Sequence, residues 1–309
     1  MLSTADNELL TRTGPGTPMG ELWRRFWIPA LQLSELPEPD CPPVRFRILG
    51  EDLVAFRDTD GQIAFFPQAC PHRGASLFFG RNEESGLRCV YHGWKFDVTG
   101  ACVDMPSEPA ESNFKSKVRI RAYPGAEWGG LIWIYMGPKE RQPELPRYHF
   151  CVQPPNADRR VYKWTQESNW VQGLEGNIDT AHIGFLHRTL NSMGSQRVPG
   201  NFNAPRLQLF ETDFGFVYGG RRDREDDDYY WRVTPFVLPL VHFDPEPDLG
   251  RRRVVRNPQR RRDELVGERQ RDRATLCNHA LHRTNPRHLA PDAQQQQRLH
   301  ARPRNAAHA

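Results

Sequence analysis

Apolar and polar positions alternate through three short runs, VRFRIL (44–49), LVAFR (53–57) and IAFF (63–66), divided by Gly50-Glu51-Asp52 and Asp58-Thr59-Asp60-Gly61. Period-two alternation broken by Gly and Asp predicts antiparallel hairpins. Further strands are expected at 87–91, 94–98 and 131–136, with Thr99-Gly100 as a turn, so 40–137 reads as a small all-β domain. Ahead of it, GELWRRFWIPALQL (20–33) predicts a short helix that stops near Pro29 and turns Leu22, Trp23, Phe26 and Trp27 inward. Residues 138–158, rich in Pro and charge, read as a linker. A second helix is expected to start near Ser168, whose hydroxyl would cap it. Strands then recur at 206–220 and 229–241.

Composition bounds this picture. A chain of 309 residues makes one large domain or two ordinary ones, and 38% apolar content with eight tryptophans supports a substantial core. No stretch approaches the ~18 apolar residues of a membrane span. The start, MLSTADNELLTRTG, has neither the basic nor the apolar region of a signal peptide, so a cytoplasmic protein without a membrane partner is expected. Six cysteines are too few for a dense disulfide framework, and close Cys/His spacings point to metal.

Charge is unevenly spread. Residues 251–309 hold fifteen Arg against five Asp or Glu, while residues 1–250 are mildly acidic. After Phe243 the chain has no aromatic residue. Such a segment buries too little apolar area to offset its chain entropy, so 246–309 is expected to be disordered. A basic extension that contacts phosphates is the competing reading. No aromatics interleave with the arginines as a stacking surface requires, so no nucleic-acid partner is expected.

Two stretches carry chemistry. Cys70-Pro-His72 is followed, after sixteen residues, by Cys89-Val-Tyr-His92, both at expected strand ends. Two thiolates and two imidazoles suit a mononuclear zinc site, or a [2Fe-2S] cluster with both Cys on one iron and both His on the other. Downstream, GLEGNIDTAHIGFLH (173–187) holds Asp179, His182 and His187. Asp179 and His182 are three apart and would share a helical face. His182 and His187 lie ~140° apart on an ideal helix, so they converge only if the helix widens or ends between them, and Gly184 permits either. The plainer alternative is two partly buried histidines beside an Asp cap.

The flanks favour the cluster. CPHRGASL and CVYHGWKFDVTG resemble the two cluster-binding loops of Rieske proteins. Gly74 and Gly93 would let backbone amides approach the sulfurs, and Tyr91 and Trp94 would wall the cluster. NWVQGLEGNIDTAHIGFLH resembles the mononuclear-iron segment of Rieske non-haem iron oxygenases. The resemblance covers roughly residues 1–240, NELLTRTGPGTPMGELWRRFWIPA included, and is nearest to oxygenase components of the phthalate 4,5-dioxygenase type.

The resemblance implies an α+β chain. A helical arm (1–39) precedes an all-β Rieske [2Fe-2S] domain (40–140). An incomplete catalytic domain (150–245) of antiparallel sheet plus helix, START-like or helix-grip, follows, and the Arg-rich tail (246–309) ends the chain. It implies Cys70, His72, Cys89 and His92 as cluster ligands, and His182 and His187 as ligands of a mononuclear non-haem Fe(II). Asp179 would bridge the Rieske histidines of one subunit to the iron of its neighbour in a homotrimer. It further implies insertion of oxygen from O2 into a small aromatic, phthalate-like substrate, by mono- or dioxygenation. Electrons would come from NAD(P)H through a flavin or ferredoxin-type reductase.

A facial triad needs a third ligand, a carboxylate. In the family this is an aspartate far downstream. Asp213, Asp223, Asp226, Asp227, Asp228 and Asp244 do not lie in a context that resembles it, and DREDDDYY reads as a solvated turn. Read one base out of frame, the codons for Arg260-Arg261-Arg262 can give Asp-Asp-Glu, and Arg287 to Pro303 can give an N-D-Y-x-x-D-R string. Both resemble the family's continuation. A change of frame between about residues 241 and 251, followed by truncation, is therefore expected. The second functional reading is an electron-transfer or inactive Rieske protein without a complete iron site.

Overall fold

The computed structural model describes residues 2–152, 161–182, 186, 204–223, 229–239, 241–242 and 275–276. His187, the 224–228 turn and the tail apart from Thr275–Leu276 lie outside the described residues.

The period-two runs form the strands they predict. β2 (Val44–Ile48), β3 (Glu51–Arg57) and β4 (Ile63–Pro67) make a meander within a six-stranded antiparallel sheet. β9 (Tyr123–Trp128), β10 (Leu131–Tyr135) and β1 (Trp27–Gln32) complete it in the order β1-β10-β9-β4-β3-β2. A four-stranded sheet holds β5 (Arg81–Glu83), β6 (Gly86–Arg88), β7 (Lys95–Phe96) and β8 (Cys102–Asp104). β3 and β4 are buried on both faces. Leu53, Ala55, Ile63 and Phe65 enter one core, while Val54, Phe56, Ala64 and Phe66 enter a second core beneath the four-stranded sheet. Alternation along one strand thus feeds two cores.

The segment expected as one helix over 20–33 divides. α2 (Pro18–Trp23) ends early, and Trp27–Gln32 becomes β1, paired with β10. Trp23 and Trp27 are buried as expected, but Leu22 and Phe26 are exposed. Pro29 is tolerated because β1 is an edge strand with a register shift between Pro29 and Leu31. A further helix, α1 (Thr4–Thr11), precedes α2 and is capped by Ser3.

The stretch read as a linker carries α3 (His149–Val152) and packs against the six-stranded sheet. Phe150 and Cys151 are buried there with Trp27, Trp133 and Tyr135. The next helix is α4 (Trp170–Ile178). Its cap is Asn169, whose side chain accepts from the Val171 N–H, rather than Ser168. Trp170 meets Trp23 edge-on at 5.0 Å, and its indole N–H donates to the Leu10 carbonyl at 3.0 Å. These contacts fix α4 to the N-terminal segment. A second antiparallel sheet follows, in the order β11 (Arg206–Thr212), β12 (Gly215–Asp223), β13 (Tyr229–Val237), β14 (Val241–His242) and β15 (Thr275–Leu276).

Candidate metal centres

Cys70 and Cys89 each follow a strand and open a tight loop. The Gly74 N–H donates to the Cys70 carbonyl at 2.9 Å, and the Gly93 N–H donates to the Cys89 carbonyl at 3.0 Å. Cys70 N–H returns to the Ala75 carbonyl and Cys89 N–H to the Trp94 carbonyl, both at 2.8 Å. The two loops are the same turn built twice, and each closes on a glycine in the left-handed region, Gly74 at φ 72° and Gly93 at φ 75°. The glycine amides close the turns, and the amides that approach the Cys70 sulfur are those of His72 and Arg73.

The four side chains stand as two pairs. Both thiols are buried, and the Cys70 sulfur lies against that of Cys89. Burial pushes the Cys70 thiol up to about 11, with the neighbouring Cys89 adding to the rise. The rings of His72 and His92 meet at 4.5 Å between centroids. Burial, then the charges on His92 and Arg73, hold His72 below the ordinary histidine range. His72 Nδ1 is buried with no hydrogen-bond partner among the described residues. Trp94 lies flat on His72, as expected of a wall, while Tyr91 leans on His92 from an exposed position.

The donor set fits a binuclear cluster. A Cys70 thiol held neutral by burial, the buried Cys89 beside it and an orphaned imidazole nitrogen are costly groups that metal ligation would satisfy. The thiol pair and the ring pair match one pair per iron.

The second centre sits at the end of α4. Asp179 is the residue after the helix, in extended conformation, with its N–H still bonded to the Glu175 carbonyl. It therefore does not share a helical face with His182. Its carboxylate folds the next turn instead. Oδ1 accepts the Ala181 N–H at 2.8 Å, Oδ2 accepts the His182 N–H at 2.9 Å, and Oδ2 lies 2.7 Å from His182 Nδ1. Burial alone would raise the Asp179 carboxyl, but the Ala181 and His182 amides and the His182 ring hold it below the usual range. A carboxylate on Nδ1 fixes the orientation of the ring. Leu186 N–H bonds back to the His182 carbonyl at 2.7 Å.

A contact not expected from the sequence supports this turn. Thr180 is fully buried against β12, where the Arg222 guanidinium donates to its hydroxyl at 3.1 Å and to its carbonyl at 2.5 Å. The sequence signal was the Gly-Gly-Arg-Arg run at 219–222, of which only the two glycines fell within the strand expected at 206–220.

A β-fold that presents two such loops defines a Rieske iron–sulfur protein. Residues 26–124 match the Rieske [2Fe-2S] domain family, and residues 134–259 match the LigXa C-terminal domain-like family. The oxygenase subunit of 3-chlorobenzoate-3,4-dioxygenase from Comamonas testosteroni is 44% identical over 263 residues, 83% of this chain and 60% of the relative. The phthalate 4,5-dioxygenase oxygenase subunit from Pseudomonas putida is 42% identical over 268 residues, 81% of this chain and 60% of the relative. A crystal structure of dicamba monooxygenase bound to dicamba shares the fold, with a TM-score of 0.57 and 22% identity over 72% of this chain and 66% of that one. The chain thus pairs a Rieske [2Fe-2S] domain with a LigXa C-terminal domain-like segment, and is similar to oxygenase subunits of dioxygenases. It spans 60% of the length of those two curated relatives. No described helix is long and apolar enough to cross a membrane.

Proposed function

We propose that the chain acts as the oxygenase component of a Rieske ring-hydroxylating system, on a small aromatic substrate in the manner of its relatives. Cys70, His72, Cys89 and His92 hold the [2Fe-2S] cluster. His182, together with His187 outside the described residues, holds the mononuclear iron. When bound, the cluster supplies single electrons and the iron supplies a site for O2 beside the substrate. The protein's part is positional. Trp94 aligns the His72 ring, Asp179 orients His182 through Nδ1, and the Asp179 carboxylate lies ready to bridge to a Rieske histidine of a neighbouring subunit in a homotrimer. Electrons come from NAD(P)H through a flavin or ferredoxin-type reductase.

The Asp179–His182 contact at 2.7 Å carries this reading, because a purely structural cap would not need the imidazole. Asp179→Asn tests it: iron affinity at the second centre falls ~10–100-fold while cluster iron and sulfide stay. Unchanged iron binding contradicts the role.

One observation favours the second reading, a protein that transfers electrons without oxygenation. None of Asp213, Asp223, Asp226, Asp227, Asp228 and Asp244 lies in a context that resembles the family's carboxylate ligand. Iron analysis separates the two readings. Three irons per chain with NADH-dependent O2 uptake supports the oxygenase, whereas two irons without turnover supports the electron carrier.

A further inference from the structure

We infer that one face of β12 is a socket that holds the Asp179–His182 turn in place, with Tyr218, Gly220 and Arg222 as positioning residues for the second centre. The inference rests on the reading of that turn as a metal site. The three residues are spaced by two, so they share a face of the strand. All three meet Thr180, the residue between Asp179 and the amides that Asp179 binds. Arg222 takes the Thr180 hydroxyl and carbonyl. Tyr218 has its hydroxyl within hydrogen-bond reach of the Thr180 backbone. Gly220 supplies room: a Cβ there would lie 2.5 Å from Thr180 Cγ2, a distance no real side chain occupies, and 3.6 Å from Thr180 Cβ.

The clamp is costly unless it has a purpose. The Arg222 side chain is fully buried, its Nε has no hydrogen-bond partner among the described residues, and no carboxylate pairs with it there. A buried cation held by a carbonyl and a hydroxyl forgoes much of its hydration. The guanidinium joins the strand to the turn that carries Asp179 and His182. A strand socket is stiffer than a loop contact, and ligand geometry held to fractions of an ångström requires that stiffness.

Hydrogen exchange on the intact chain tests the socket without a metal. Gly220→Ala is expected to speed exchange of the 179–182 amides at least tenfold, with peptides of the Rieske sheet unchanged. Thr180→Ser removes Cγ2 and keeps the hydroxyl, so adding it to Gly220→Ala should restore exchange to within twofold of Thr180→Ser alone. Arg222→Met should speed exchange at the same amides, and Arg222→Lys should restore part of the protection. Unchanged exchange in Gly220→Ala, or failure of Thr180→Ser to rescue it, overturns the socket. Nitric-oxide EPR of the unsubstituted protein with added Fe(II) tests the metal reading separately, so each can fail alone.

Discussion

The imidazole of His72 lies on the indole of Trp94, 4.3 Å between centroids and 7° from parallel, although the two residues belong to different loops. Trp94 is in turn held by the segment after β8. Its Nε1 donates to the Ser107 hydroxyl at 3.1 Å, and Pro106 fills the space beside Gly93 so tightly that a Cβ there would approach it to 2.6 Å. The orientation of the His72 ring, in the first loop, is thus set from the second.

Trp94→Leu is therefore expected to leave the His72 ring free to turn. Bound iron and acid-labile sulfide should fall at least twofold, and the EPR signal of the reduced cluster should broaden. Trp94→Phe keeps an aromatic face and should retain most of the cluster. Equal cluster content and identical spectra in Trp94→Leu would remove the stacking from the account.

Arg88 clamps the second loop from beneath. Its guanidinium donates to the Gly93 carbonyl at 2.8 Å, to Asp104 at 2.6 Å and to Glu83 at 2.6 Å. Both carboxylates are partly exposed, so Arg88→Met should cost about 1–3 kcal/mol rather than the larger loss of a buried pair. Hydrogen bonds from Arg88 hold the Glu83 and Asp104 carboxyls below their ordinary values of 4.5 and 3.8. Lowered carboxyl values mean the unfolded chain binds protons first, so this stability is present above about pH 4.5 and is lost as pH falls below it. Thermal unfolding should show a gap between wild type and Arg88→Met at pH 7 that narrows below pH 4.5. A gap constant with pH contradicts the clamp.

Tyr148 reports on the segment that the sequence pattern reads as a linker. It stacks on Phe150 at 5.6 Å and on Trp133 at 6.4 Å. Burial, and then the nearby Cys151, push its hydroxyl up to about 12. An unfolded tyrosine ionises near pH 10. Stability is therefore intact below that value and declines as pH rises toward 12, by at most about 2 kcal/mol. Tyr148→Phe should match wild type at pH 7 and lose less stability above pH 10. Ultraviolet titration that shows every tyrosine ionising near pH 10 would place this segment in solvent.

The legible parts of this protein were the local ones. The pairing of Cys70 with Cys89 and of His72 with His92 follows from two self-contained turns whose glycine and spacing are written in sequence. The β2–β3–β4 meander was legible for the same reason. The helix expected over 20–33 was misread because apolar residues at 22, 23, 26 and 27 fit a helical period, whereas edge pairing with β10 decides the outcome. β5 and β6 are joined by Glu84 and Ser85, both with positive φ and neither a glycine, so the turn left no signal. It is held from outside, by Thr59 and Asp60 on Ser85 and by Lys95 on Glu84. Asp179 and His182 were visible as a motif, but the turn that joins them depends on Arg222, 42 residues away along the chain.

The most direct test of the central claim is pulsed EPR on the dithionite-reduced protein, with iron and sulfide counted on the same sample. A cluster held by Cys70, Cys89, His72 and His92 predicts acid-labile sulfide at two per chain and nitrogen couplings from two imidazoles, one of which disappears in His72→Cys. A colourless protein that holds zinc, or a reduced cluster without imidazole nitrogen coupling, would contradict it.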